Sequence, residues 1–256
     1  MPLTARTILI TGASRGLGLE FVKQIVKSST PPEVVIAACR NPEKAVDLQN
    51  IAQGNPILKL IKLDLETDDD LESAFQETKA AVGDLGLNLL INNAGIYDKG
   101  KPGTLADISR ESMQNHFNIN VSGPIAVAQK FLPLIKQAAS QSNVKKITPN
   151  RAGIIMVSSL MGSQQLTYKD GNGACLHYKC SKTAITMASI LMARELKEAG
   201  IFVAALHPGW VRTDMGTSQA PLSPEESIEA CLNVIGNAEE DVNGKLISFT
   251  GDILPY

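Results

Sequence analysis

Short apolar runs recur along this chain, and each gives way to a segment whose apolar positions return every three or four residues. The first run, Ile8-Leu9-Ile10, stops at Thr11-Gly12 and is followed by LGLEFVKQIVK, which has the spacing of one helical face. The runs EVVIAAC (33–39), ILKLIKLDL, LNLLINNAG (87–95) and AGIIMVSS are rich in β-branched and aliphatic residues, as expected of strands covered on both faces. Helical patterns lie between them: from about Pro42 to Ala52, over TDDDLESAFQETKAAVG, between Thr104 and Ala139, and over HYKCSKTAITMASILMARELKEAG. Gly123 and Pro124 predict a kink in the third of these, because proline removes a helix hydrogen bond. A helix over 223–235 and the strand KLISF complete the pattern. Alternation of this kind predicts an α/β fold, a doubly wound parallel sheet of about seven strands with helices on both faces. No linker, repeat or low-complexity tract interrupts it, so residues 1–256 are expected to form one domain, with one half to about 150 and the other from 151.

Composition narrows the function. The net charge of −2 over 256 residues gives no basic field for nucleic acid or an anionic membrane. Met1 to Arg6 is too short for a signal peptide, and no stretch approaches the roughly 18 apolar residues of a membrane span, so a soluble cytoplasmic protein is expected. Cys39, Cys175, Cys180 and Cys231 have no framework spacing, and reduced thiols are expected. Cys175, His177 and Cys180 lie close together, but residues five apart on a helix point in different directions and no second cluster completes four ligands. A metal is therefore not expected. His116 and His207 stand alone and read as structural, and the polar stretch 140–152, with Lys145, Lys146 and Arg151, reads as a solvated loop.

Chemistry enters at the first strand-to-helix turn. Gly12 lets the chain leave the strand, while Gly16 and Gly18, with Ser14, Arg15 and Leu17 between and beside them, let backbone approach a phosphate at a helix N-terminus. Arg40 ends the second strand, 22 residues past Gly18, where NAD-selective sites carry an acid. A basic residue there suits a 2′-phosphate, and Arg15 adds a second positive charge, so NADPH is favoured over NADH. Asp64 closes the third strand and competes with Thr67 to cap the acidic helix that follows. The fourth strand ends in Asn92-Asn93-Ala94-Gly95, small residues that leave room for a flat ligand and amides able to knit strands together. Tyr178 and Lys182, four apart, share a helical face, where an ammonium favours the phenolate and pulls a pKa near 10 toward neutrality.

In this order, these features resemble the short-chain dehydrogenase/reductase family from Thr11 to PGWVRTDMG (208–216), and ACRNPEKA, PGWVRTDMG and GDILPY are most similar to its sniffer-type carbonyl reductases. The resemblance implies a Rossmann-type fold, NADPH as cofactor and a small-molecule carbonyl as substrate. It implies that Tyr178 protonates the carbonyl oxygen, Ser159 hydrogen-bonds the same oxygen, Lys182 lowers the tyrosine pKa and holds ribose hydroxyls, and Asn120 supports a water that connects Lys182 to solvent. Asp64 would meet the adenine amino group with Leu65 beside the ring, Asn93, Ala94 and Gly95 would line the cofactor, and Pro208, Val211 and Thr213 would line its carboxamide. Ser159 and Tyr178 lie 19 residues apart, several more than in many members, which leaves Ser158 as an alternative; Ser159 directly precedes Leu-Met-Gly, matching the family pattern. The extra residues fall where substrate enters and are expected to act on specificity. Ile96, Tyr97, Leu160, Met161 and Trp210 predict an apolar substrate pocket, with Trp210 closing it, although Lys99, Lys101 and Lys169 are near enough in sequence to reach in. A non-catalytic NADPH-sensing regulator on the same fold is the alternative function. A methyltransferase has no use for Tyr-x-x-x-Lys, and a homodimer is compatible with the sequence.

Overall fold

The computed structural model describes residues 3–98 and 103–256. Its strands are β1 (Thr7–Thr11), β2 (Val34–Cys39), β3 (Leu58–Lys62), β4 (Leu89–Asn92), β5 (Gly153–Val157), β6 (Phe202–His207) and β7 (Leu246–Ser248). All pair in parallel, in the order β3-β2-β1-β4-β5-β6-β7. The chain starts mid-sheet, winds outward to β3, returns to the other side of β1 and winds outward again. The reversal between β1 and β4 opens a crevice at the carboxyl ends of those strands, where ligands bind in sheets of this type.

Apart from edge strand β3, where Lys59 and Lys62 are exposed, the apolar runs form strands whose two faces are both buried. Ile8 and Ile10 join Phe21, Val22 and Ile25 of α1 (Gly16–Val26) and Ile228, Cys231 and Ile235 of α8 (Pro224–Asn237) in one core. Leu9, pointing the other way, joins Ala74 of α3 (Asp68–Val82), Phe131 and Ile135 of α5 (Gly123–Gln141) and Ile185 of α7 (Leu176–Glu195) in the second. Ile10 and Phe131 are fully buried, and truncating side chains of this kind to alanine costs about 2–5 kcal/mol. Among the described residues, no helix is long and apolar enough to cross a membrane.

Three local features differ from the pattern. The helix expected from Pro42 begins as a 3-10 turn over Pro42–Lys44, and α2 (Val46–Gln53) starts only after Ala45, whose ψ of 68° breaks the helix. The long helical region is α4 (Arg110–Phe117) running into α5 through a wide π turn over Asn118–Ser122. Pro124 has no N–H for the Asn120 carbonyl, and the irregularity falls just ahead of it as an expanded turn rather than at the proline as a break. Finally, neither Asp64 nor Thr67 caps α3: Thr67 makes no side-chain cap bond, and the Asp64 carboxylate accepts from the Glu66 N–H at 3.2 Å.

Candidate active site

The glycine loop sits on the crevice because two of its glycines admit no side chain. At Gly12 (φ +67°) a Cβ would lie 2.8 Å from Ala94 Cα, and at Gly18 it would lie 2.1 Å from the Gly12 carbonyl oxygen. β4 holds this arrangement in turn: Asn93 Nδ2 donates to Thr11 O at 3.0 Å, and Thr11 Oγ1 accepts from the N–H groups of Asn93 and Ala94, both at 3.1 Å. The Asn93 side chain therefore knits β1 to β4. Arg15 at the N-cap makes no side-chain cap bond and no acid occupies the first turn of α1, which leaves the N–H groups behind Ser14 and Arg15 suited to an anion. Arg40 is exposed at the end of β2. Arg15 is not a free second charge, because its guanidinium lies 3.7 Å from the Asp214 carboxylate across the crevice. Leu65 packs over Gly123, where a Cβ would meet it at 2.8 Å, and Asp64 stands half-buried beside it.

Tyr178 and Lys182 share the inner face of α7, with the Lys182 ammonium 5.5 Å from the centre of the phenol ring. Ser159 hydrogen-bonds the phenol and lowers its pKa, but burial dominates and pushes it up to about 12. Burial also brings the Lys182 pKa down to about 8, and its Nζ donates to Val157 O at 2.8 Å. Desolvation penalises both charged forms, so burial acts against the expected pull of Tyr178 toward neutrality. Ser158 is committed elsewhere: its hydroxyl bonds Lys182 O at 3.1 Å and Thr186 Oγ1 at 2.8 Å, whereas Ser159 faces Tyr178. Asn120 sits in the π turn, accepts from Ile96 N at 2.8 Å and donates to Ile96 O and Ser181 Oγ, both at 3.0 Å. Its side chain clamps the loop after β4. A Cβ on Gly95 would meet Asn120 Oδ1 at 3.1 Å and Lys182 Nζ at 3.6 Å, so the bare backbone there keeps the space beside Lys182 open.

The outer wall comes from the loops after β4, β5 and β6. Tyr97 meets Tyr178 edge-on with ring centres 5.1 Å apart. Met161 donates its N–H to Ser159 Oγ at 3.1 Å, and Leu160 is partly exposed beside it. The extra residues fold as the short helix α6 (Gln164–Asp170), tied to the chain's end where Gln165 N–H donates to Tyr256 O at 2.9 Å. Trp210 is half-exposed and donates to Gly216 O at 2.5 Å, so its indole lies against the turn 210–216. Pro208 and Val211 are buried, and the Thr213 methyl lies 3.7 Å from where a Gly16 Cβ would stand. Lys169 is exposed in α6, while Lys99 and Lys101 lie outside the described residues. Pattern reading missed the histidines: His116 is not isolated but packs edge-on against His177 at 4.1 Å. No local signal relates these two, as they belong to different helices.

A family model described as short chain dehydrogenase matches residues 6–222. The chain belongs to the short-chain dehydrogenase family. It is an oxidoreductase of that family. Carbonyl reductase Sniffer of D. melanogaster is 33% identical, with a TM-score of 0.94 over 98% of this chain and 100% of that one. An NADPH-bound carbonyl reductase from chicken fatty liver is 35% identical, also with a TM-score of 0.94, over 99% of this chain and 95% of that one. An uncharacterized oxidoreductase of Schizosaccharomyces pombe is 29% identical over the full length of both chains. The residues of this short-chain dehydrogenase fit a dinucleotide. The uncapped start of α1 suits a pyrophosphate, exposed Arg40 suits a further phosphate, and the bare backbone at Gly95 leaves the approach to Lys182 free of a side chain.

Proposed function

We propose that this protein is an NADPH-dependent carbonyl reductase acting on apolar aldehydes, ketones or quinones, with Tyr178 as the proton donor. The observation that carries the reading is the convergence of Ser159 and Lys182 on one buried phenol at the mouth of the glycine-loop crevice. When bound, NADPH supplies the hydride. The chain's own groups do the rest. The first turn of α1 holds the pyrophosphate, and Arg40 holds the 2′-phosphate. Asp64 and Leu65 flank the adenine end, and Pro208, Val211 and Thr213 flank the carboxamide. Ser159 orients the carbonyl oxygen and shares the charge that develops on it. Tyr178, with its pKa pushed up to about 12, stays protonated at neutral pH and hands its proton to that oxygen as the C–H bond forms. Lys182 would hold ribose hydroxyls, and Asn120 fixes the backbone after β4 beside it.

The apolar preference rests on the wall, in which Tyr97, Leu160 and Met161 offer no cation to pair with a buried carboxylate. The test is NADPH oxidation followed by absorbance with benzaldehyde, a quinone and pyruvate. Wild type is expected to prefer the first two by tenfold or more in kcat/KM, a gap typical of a missing charge partner. Tyr178→Phe is expected to abolish turnover while NADPH affinity stays near wild type. Comparable turnover in Tyr178→Phe would sink the mechanism, and a preference for pyruvate would sink the substrate class. Convergence of Ser159, Tyr178 and Lys182 argues for chemistry over a sensing role.

A further inference from the structure

Four rings form a column ending at the proposed proton donor. Tyr178 meets Tyr97 edge-on at 5.1 Å and 67°. Tyr97 lies parallel to His177, within 5° at 6.3 Å, and His177 meets His116 edge-on at 4.1 Å. The far end is anchored: His116 Nδ1–H donates to Ser112 O at 2.8 Å, and His116 Nε2 accepts from Asp98 N–H at 3.2 Å. The Tyr97 hydroxyl is held by Cys175 Sγ at 3.0 Å. His177 is different. It is buried, yet neither ring nitrogen has a hydrogen-bond partner among the described residues. Among the described residues, packing is what holds this imidazole. A Cβ on Gly103 would fall 2.3 Å from His177 Cε1, and the Gly103 carbonyl accepts from Leu176 N–H at 2.9 Å, so backbone presses on the ring from behind. A larger ring would collide with that backbone, and a smaller side chain would leave Tyr97 unsupported.

We propose that Tyr97 is a specificity-determining residue of the carbonyl site and that His177 is the positioning residue that props it, so that the slot in front of Tyr178 keeps a fixed width. The proposal rests on the carbonyl reductase reading above. Two restraints set the Tyr97 ring: the thiol tether at Cys175 and the imidazole prop, itself backed by His116. Both sit at the start of α7, one helical turn or less from Tyr178, which couples the slot to the element that carries the acid. Removing either lets the ring swing away, and bulky carbonyls gain on compact ones.

The test compares kcat/KM for 9-anthraldehyde and benzaldehyde in wild type, Tyr97→Ala, His177→Ala and the double variant. The bulky-to-compact ratio is expected to rise about tenfold in Tyr97→Ala. It is expected to rise severalfold in His177→Ala, and to rise no further in the double variant than in Tyr97→Ala alone. Cys175→Ala is expected to follow His177→Ala, with Cys175→Ser restoring the ratio. Should His177→Ala fold poorly, the cysteine pair carries the comparison. A second readout needs no turnover. In a Cys180→Ser background, which removes the exposed thiol, iodoacetamide labelling of Cys175 is mapped by mass. It is expected to speed up about fivefold in His177→Ala and in Tyr97→Phe as the thiol loses its partner. An unchanged aldehyde ratio with a lowered Tm, an equal shift in the presence and absence of Tyr97, or unchanged labelling would overturn the proposal. If even wild type reduces neither aldehyde, the carbonyl reading fails, and the labelling rates still decide whether His177 props Tyr97.

Discussion

Lys182 sits where a charge costs stability. Its ammonium is buried and, among the described residues, donates to the Val157 carbonyl, and its pKa is brought down to about 8 from the ordinary 10.5. Each pKa unit corresponds to about 1.4 kcal/mol of preference for the neutral form. At pH 7 the folded protein carries that cost and the unfolded chain does not. As pH rises through 8 toward 10.5, folded Lys182 releases its proton before the unfolded side chain does, and the folded state gains stability in that window. Lys182→Met keeps the methylenes and drops the charge. It is expected to be more stable than wild type in urea at pH 7 by on the order of 1–2 kcal/mol, after losing the bond to Val157, and to lose that advantage by pH 10. Equal midpoints at both pH values would show that the site tolerates its ammonium. Arg40 poses the complementary question at the other end of the crevice. Arg40→Asp is expected to lower the preference for NADPH over NADH by about ten- to a hundredfold, as a charge-assisted contact to phosphate warrants. Equal binding of both coenzymes by wild type in a fluorescence titration would refute the assignment.

Among the elements, the strand-loop-helix unit around β1 is the least forgiving. Gly18→Ala would put a methyl 2.1 Å from the Gly12 carbonyl oxygen and 2.6 Å from Asn93 Nδ2. Such overpacking costs about 1–3 kcal/mol. A Tm loss of several degrees and weaker NADPH binding are expected, whereas Gly54→Ala, whose nearest neighbour is 4.0 Å away, is expected to leave both unchanged. Equal Tm values for the two variants would contradict the packing. This unit was legible in the sequence because its constraints are local: an apolar run, a glycine spacing and a helical face. The same is true of Tyr178 and Lys182, since the helix repeat alone brings them together. β6 was not singled out, though FVAALH is as apolar as its neighbours. What pattern could not reveal depends on contacts between elements. Whether Ser158 or Ser159 faces Tyr178 depends on how β5 ends against α7. The π turn at Asn120 reflects a proline four residues on together with the packing of Asn120 on Ile96 and Ser181. His116 and His177 meet only because α4 and α7 pack side by side.

Across the whole molecule, the loops after β1 and β6 approach each other over the crevice, although two strands lie between β1 and β6 in the sheet. A charge pair bridges them, Arg15 with Asp214 at 3.7 Å, both side chains largely exposed. Pairs of this kind add little to stability. The consequence is one of traffic. A polyanionic coenzyme reaching the uncapped start of α1 must draw Arg15 away from a carboxylate that also repels it, so the bridge slows arrival and hastens departure. Asp214→Asn is expected to raise the association rate of NADPH severalfold in stopped-flow fluorescence at low salt. The gap should close near 1 M salt, where the screening length falls to about 3 Å, and identical rates at low salt would discount the bridge. Where release of spent coenzyme limits the cycle, a carboxylate at the doorway is expected to shorten its dwell time and so to quicken turnover.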